Sequence, residues 1–132
     1  MVEEGTKYDD GKPRLAEMIK DFAIPLTEVC SVWEFGANKY SKSNWKLVKD
    51  GEMRYTNALL RHLIQEEYNP IDAESGLLHA VHVAWNALAR LYFILKKKPS
   101  YKDYINYFFG SNKLYLDKDI YTTKEGDINI IE

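Results

Sequence analysis

The sequence has little of what marks secreted or membrane-spanning proteins. Its 132 residues include one cysteine, Cys30, which excludes an internal disulfide framework. Cys30 lies in an apolar run, so we interpret it as a small buried hydrophobic side chain rather than a nucleophile. No apolar run reaches the ~18 to 20 residues that a membrane-spanning helix needs, and no signal-peptide pattern opens the chain. We therefore expect a cytoplasmic protein without a membrane partner.

A strong charge of one sign is also missing. The 18 basic and 20 acidic residues leave a formal net charge of -2. Nucleic acids and anionic membranes need a concentrated basic patch, so we expect neither as the main partner. A small anionic ligand needs only a few local cations and stays open. With 45% hydrophobic and 29% charged residues, the composition is that of a globular domain with a real core.

Apolar residues recur mainly at helical spacing, and Gly, Pro, Asn and Ser clusters separate the helical stretches. The pattern predicts an all-α fold, a small helical bundle with a short extended or hairpin C-terminal tail. Residues 1–99 form the helical domain, and residues 100–132 belong to the same domain or to an oligomer contact. Pro25 either interrupts the first two helices or stands in the first turn of the second. The predicted helices span residues 15–22, 26–40, 54–67, 73–97 and 100–109, and a turn is predicted at 124–127.

The longest predicted helix is strongly apolar from Leu77 to Leu95, so we expect it to be the central and most buried one. Asp72 can cap its N-terminus, and Glu74 would lie near the positive end of the helix dipole. Three lysines and Pro99 end it. Both acidic residues can equally be explained by capping and dipole effects alone.

All three histidines of the chain fall on this helix and the preceding one. His79 and His82 are three residues apart and share one side of the helix with Asn86. His62, on the preceding antiparallel helix, could converge with them between the two helices. Such a group could bind a metal, act as general acid and base, or contact a ligand; paired histidines in a core are a common structural alternative. Neighbouring carboxylates could complete a metal shell: Glu34, Glu66, Asp72 or Glu74.

A loop at residues 41–51 contains Asn44 and Trp45 directly after Lys39 and Tyr40. An aromatic ring and a cation together are what a ligand with a base and a phosphate requires, since one stacks and the other pairs with charge. The alternative is that Trp45 folds back on the core. The residues leave both interpretations open.

Four ordered motifs together resemble the phage dATP/dGTP diphosphohydrolase N-terminal family, which is grouped with the MazG-like all-α nucleotide pyrophosphohydrolases. The resemblance covers roughly Lys7 to Leu95 and does not reach the tail. The motifs are Gly11-Lys-Pro-Arg14, Glu34-Phe-Gly-Ala-x-Lys39-Tyr40-x-x-x-Asn44-Trp45, Arg54-Tyr-x-x-Ala-Leu-Leu-Arg61-His62-Leu, and Asp72-x-Glu-Ser-Gly-x-x-His79-x-x-His82-x-x-x-Asn86.

The resemblance implies hydrolysis of a purine deoxynucleoside triphosphate to the monophosphate and pyrophosphate. It also implies a homo-oligomer with a divalent metal ion, in the host cytoplasm if the protein is phage-encoded. Metal and cations would neutralise the phosphates while an activated water attacks phosphorus. We assign catalysis to Glu34, His62 and Glu74, metal binding to His79, His82 and Asp72, and substrate binding to Lys39, Tyr40, Asn44, Trp45, Arg54, Arg61 and Asn86.

The sequence departs from the MazG-like pattern in its acidic residues. Those enzymes typically hold magnesium with two acidic pairs, whereas Glu34 is followed three residues later by Ala37, and the central helix offers His79 and His82. Imidazole suits manganese, nickel or zinc better than magnesium. Two further hypotheses therefore stand beside the enzyme: a protein that sequesters a nucleotide or a nucleotide-derived signal without turnover, and a structural domain whose histidines are core residues.

Overall fold

A computed structural model describes residues 3–110 of the chain and, for the backbone alone, residues 120–122 and 128–130. The described part contains five α-helices, one short 3₁₀ helix and two strands. The α-helices are α1 (Leu15–Asp21), α2 (Ala23–Lys39), α3 (Gly51–Glu66), α4 (His79–Lys96) and α5 (Tyr101–Phe109), the 3₁₀ helix is η1 (Asn44–Leu47), and the strands are β1 (Ile120–Thr122) and β2 (Ile128–Ile130).

The antiparallel pair of α3 and α4 is the centre of the fold, and α2 packs against α4. At one end of the pair His62 contacts His79, and at the other Glu52 of α3 forms an ion pair with Lys97, just after α4. Between them Arg90 Nε donates to Thr56 Oγ1 at 2.8 Å. The buried apolar side chains are few in the described part of the chain, and they come from α2, α4 and α5: Val32, Val81, Ala89, Phe93 and Ile105.

The N-terminal end of α3 lies against the α4 core through Gly51, the first residue of the helix. A Cβ atom at this position would overlap the ring of Phe93. The ring of Tyr55, one turn further along α3, stacks on the same Phe93 with 5.8 Å between centroids. This close approach requires a residue without a side chain and fixes where α3 begins relative to α4.

The predicted all-α bundle is confirmed, and four of the five helices lie close to their predicted bounds. Pro25 stands in the first turn of α2, where a missing N–H is tolerated. In the tail, β1 and β2 pair antiparallel, with Ile120 opposite Ile130. The turn predicted at residues 124–127 lies outside the described residues.

Two sequence-based predictions are wrong. The central helix begins at His79, not at residue 73, and Asp72 does not cap it, because residues 72–78 form a hydrogen-bonded loop instead. Cys30 is exposed on α2 rather than buried, since α2 packs on α4 through its other side.

None of the helices in the described part of the chain is both long and apolar enough to cross a membrane. The outer side of α4 nevertheless exposes Leu88 and Leu91, nearly half of each side chain being accessible. The expected homo-oligomer stays a prediction.

Candidate functional site

The loop between α3 and α4, residues 69–78, is a compact turn held by its own polar groups. An antiparallel bridge joins Ile71 to Leu78, and the backbone N–H of Asp72 donates to the carbonyl of Leu77 at 2.8 Å. Gly76 adopts a φ of 74°, a left-handed conformation that glycine accepts without strain. This turn places Asp72 and Ser75 beside the first turn of α4.

Asp72 is fixed by Ser75, three residues later. Its Oδ2 accepts hydrogen bonds from the Ser75 backbone N–H at 2.9 Å and from the Ser75 hydroxyl at 2.6 Å. Such local side-chain bonds compete with helix formation, which explains why the helix starts only at His79. The Ser75 hydroxyl also lies 2.7 Å from Nε2 of His82. The same Nε2 is 3.5 Å from Asp72 Oδ2.

The three histidines converge at this end of the α3–α4 pair, as the sequence suggested. Nδ1 of His62 and Nδ1 of His79 share a hydrogen bond of 2.8 Å, and the His62 ring stacks on His82 with centroids 4.4 Å apart. His79 and His82 are buried, and His62 is half-buried. We call His62, Asp72, Ser75, His79 and His82 the histidine cluster.

Burial, hydrogen bonds and neighbouring charge shift the pKa values of His62, His82 and Asp72. Burial is the main cause that lowers the pKa of His62 and of His82, and Asp72 opposes the effect in both. Burial acts to raise the pKa of Asp72, but the hydrogen bonds from Ser75 and the charges of His82 and His62 together outweigh it, and the pKa is lowered. Neutral imidazoles beside an ionised carboxylate are the forms in which these groups bind metals.

One ligand atom from each of His62, Asp72 and His79 lies within 4.8 Å of the others. Two imidazole nitrogens and one carboxylate oxygen fit a transition metal ion better than Mg²⁺, which prefers oxygen ligands. The set differs from the predicted one: His62 takes the place of His82, which lies against Ser75 instead. Among the described residues, the acidic pairs of a typical MazG-like magnesium site are not part of this group.

Next to the histidine cluster is a pocket of about 530 Å³ between α2, η1, α3 and α4. Arg61 lines it, one residue before His62, and so does Trp85, three residues after His82. Its wall combines aromatic rings with two arginines, and no carboxylate belongs to this described lining. The remaining lining residues are Trp33, Gly36, Ala37, Tyr40, Ser41, Ser43, Asn44, Trp45, Val48, Arg54, Tyr55 and Ala58.

Each wall of the pocket follows from a local sequence pattern. On α2, Trp33, Ala37 and Tyr40 recur at helical spacing and so face one way. The ring of Trp45 contacts Trp85 and Tyr92 edge to face, with centroids 5.4 and 4.8 Å apart. Trp45 therefore does both things that the sequence left open: it folds onto an aromatic cluster and lines the pocket.

Five of the predicted substrate-binding residues line the pocket: Tyr40, Asn44, Trp45, Arg54 and Arg61. Two others do not. Asn86 is buried, and its amide donates to the carbonyl of His82 at 2.8 Å within α4. Lys39 forms an exposed ion pair with Glu74, which raises the pKa of Lys39 and joins the end of α2 to the 69–78 loop.

The proposed catalytic residues are not all together. His62 belongs to the histidine cluster, Glu74 is engaged by Lys39, and Glu34 is exposed on α2 beside the pocket-lining side of that helix. Sequence reasoning missed Ser75 and the pocket residues Trp33, Tyr55 and Trp85. For the three pocket residues the available signal was their helical spacing relative to Ala37, Ala58 and His82.

The comparisons with known proteins identify the family of this chain. The model of the family "dATP/dGTP diphosphohydrolase, N-terminal" matches residues 2–103, which include every residue of the pocket and the cluster. The chain belongs to this family. The match extends beyond the resemblance found in the motifs and reaches the start of α5.

One relative of this family domain is the dATP/dGTP diphosphohydrolase of Salmonella phage PMBT28. It is 34% identical over 100 residues, which are 75% of this chain and 32% of that protein. The chain therefore spans about a third of the length of the relative it matches. No solved structure matches the chain.

Proposed function

We propose that the pocket binds a purine deoxynucleoside triphosphate and that the chain hydrolyses it to the monophosphate and pyrophosphate. The observation that carries the proposal is a pocket lined by aromatic rings and two arginines, without a carboxylate in its described lining. Family membership and the name of the phage relative support the same substrate class.

The charge of the pocket fits a polyphosphate. Arg54 and Arg61 project from one side of α3 at a spacing of seven residues, or two helical turns. Both side chains are exposed, so they can reach phosphates that enter from solvent. A guanidinium group binds phosphate oxygens through paired hydrogen bonds, and an acidic lining would oppose that binding.

The aromatic part of the pocket fits a base and a sugar. Its volume of about 530 Å³ lies within the range of typical small-molecule sites. Tyr40 is 64% exposed and has Lys39 Nζ 5.2 Å from its ring centroid, so it can still receive a base, whereas Trp45 and Trp85 already contact each other and form the wall. We therefore assign stacking to Tyr40 and shape to the two tryptophans.

The proposed reaction adds water to the α-phosphorus and breaks the bond between that phosphorus and the bridging oxygen. Pyrophosphate leaves, and the proton of the water passes to a base of the protein. Glu34, exposed on α2 beside the pocket-lining side of that helix, is the candidate for that base. A divalent metal ion would supply neutralisation of the phosphate charge.

The test is to incubate the protein with dGTP or dATP and with Mn²⁺ or Mg²⁺, and to separate the products by anion exchange. We expect equal amounts of monophosphate and pyrophosphate, with product formation lost in Arg61→Ala. Lys20→Ala, which removes a cation from α1, should keep the wild-type rate. Stoichiometric binding without product would contradict hydrolysis and favour the sequestering protein. The absence of binding would contradict both.

A further inference from the structure

We infer that His62, Asp72 and His79 form a binding centre for a divalent first-row transition metal ion, and that Ser75 and His82 hold Asp72 in place. The inference goes beyond the proposed function, because it depends on these five side chains and not on the nucleotide pocket. The proposed ligand atoms, two nitrogens and one oxygen, also differ from the oxygen-rich magnesium site of MazG-like enzymes.

The distances suit a single ion. One ligand atom from each of the three residues lies within 4.8 Å of the others. Tetrahedral ligands about 2.0–2.1 Å from a zinc ion lie about 3.4 Å from each other. The 2.8 Å between the Nδ1 atoms of His62 and His79 would therefore need to widen by only about half an ångström, which small ring rotations supply.

The surroundings of Asp72 are those of a fixed metal ligand. Both hydrogen bonds from Ser75 go to Oδ2, so Oδ1 can still bind an ion. Ser75 in turn contacts His82, whose ring stacks on His62. The Ser75 hydroxyl thus restrains Asp72 by a hydrogen bond, and the His82 ring restrains His62 by stacking.

Each ligand comes from a different element: α3 supplies His62, the 69–78 loop supplies Asp72, and α4 supplies His79. The bridge between Ile71 and Leu78 ties the loop to the start of α4. His79 is 4% exposed, so the centre is closed toward the core and open only on the side of His62 and Asp72. Three protein ligands leave a fourth position for solvent or for an oxygen of a bound molecule.

The ligand chemistry predicts the selectivity. Two imidazole nitrogens and one carboxylate oxygen suit Zn²⁺, Co²⁺ or Mn²⁺, whereas Mg²⁺ prefers an octahedral oxygen shell. The alternative for the same geometry is a structural pair of neutral imidazoles that share a proton and bind no ion. Measuring whether the protein binds a metal ion distinguishes the metal centre from the structural imidazole pair.

The experiment is a titration of untagged, EDTA-treated protein with Co²⁺, followed by visible absorption, and with Zn²⁺, followed by calorimetry. We expect one ion per chain and a cobalt spectrum that Zn²⁺ removes and millimolar Mg²⁺ does not. His79→Ala should weaken binding by more than about 100-fold, and Ser75→Ala, which only restrains Asp72, by about 10- to 100-fold.

Two further variants make the result decisive. Glu28→Gln, which neutralises an exposed acid on α2 that is not part of the cluster, should bind with wild-type affinity. If His79→Ala fails to fold, as thermal unfolding would show, His62→Gln replaces it. Absence of one-to-one binding, equal competition by Mg²⁺, or unchanged affinity in the histidine variants would overturn the inference. Nucleotide is not present in any of these measurements, so failure of the proposed function would not affect them.

Discussion

The pocket and the histidine cluster are neighbours along α3 and α4, but they are built in opposite ways. The two arginines of the pocket are exposed, and in the described part of the chain no carboxylate pairs with either. In the cluster the polar groups are buried or half-buried, and hydrogen bonds join them to each other. Arg61 of the pocket directly precedes His62 of the cluster along α3.

The difference shows what each region requires. Exposed cations that pair with no carboxylate cost the fold little and remain available to an anion from solution. Buried imidazoles and a buried carboxylate must be satisfied within the protein, since each would otherwise destabilise the fold. The pocket is thus prepared for a soluble ligand, whereas the cluster is stable by itself and is completed by an ion.

The largest expected effect separates the two regions directly. In the double variant Arg54→Ala/Arg61→Ala we expect dGTP affinity to fall by more than about 100-fold, because each lost charged hydrogen bond is worth about 1.5–3 kcal/mol. Binding of Co²⁺ to the cluster should not change. Calorimetry with each ligand measures both, and an equal loss of cobalt affinity would show that the regions are not independent.

Two aromatic residues of the pocket should differ in what they contribute: Trp45 to the stability of the fold and Tyr40 to nucleotide binding. Trp45→Ala should lower the free energy of unfolding by about 2–3 kcal/mol, since its ring packs on Trp85 and Tyr92. Tyr40→Ala should leave stability near wild type but weaken nucleotide binding by about 1–3 kcal/mol, the value of one stacked base. Urea unfolding and calorimetry give the two quantities. Unchanged nucleotide affinity in Tyr40→Ala would remove its assigned role.

A pair of glycines tests the packing that holds both regions. Gly51→Ala should destabilise the protein by about 1–3 kcal/mol, because a Cβ there overlaps the Phe93 ring. Gly36→Ala is the matched control: nothing lies within 4 Å of a Cβ at that position of α2, so we expect stabilisation of up to about 1 kcal/mol. Thermal unfolding compares them, and equal changes would contradict the close α3–α4 contact.

The smallest effect concerns the link between α2 and the 69–78 loop. Lys39→Met should change the free energy of unfolding by less than about 1 kcal/mol, because its ion pair with Glu74 is exposed to solvent. Removing the predicted phosphate contact of Lys39 should likewise leave dGTP affinity close to wild type, since Lys39 is not part of the pocket lining. A tenfold loss of dGTP affinity would show that Lys39 contacts the nucleotide.

Helical periodicity was sufficient to predict the bundle, and spacing on α3 and α4 was sufficient to bring His62 beside His79. The start of α4 could not be predicted, because Asp72 and Ser75 satisfy each other instead of a helix end, and a pattern of apolar residues does not record such a bond. Asn86 shares the helix side of the histidines, but its amide turns inward to the His82 carbonyl. Lys39 was predicted from its neighbours in sequence, whereas its partner Glu74 lies 35 residues away.

The most direct measurement is anomalous diffraction from a crystal grown with Mn²⁺ and a non-hydrolysable dGTP analogue. The account predicts one manganese peak bonded to His62, Asp72 and His79, and a nucleotide in the pocket with its phosphates on Arg54 and Arg61. Manganese bound only to exposed carboxylates such as Glu34, or a nucleotide outside the pocket, would contradict it.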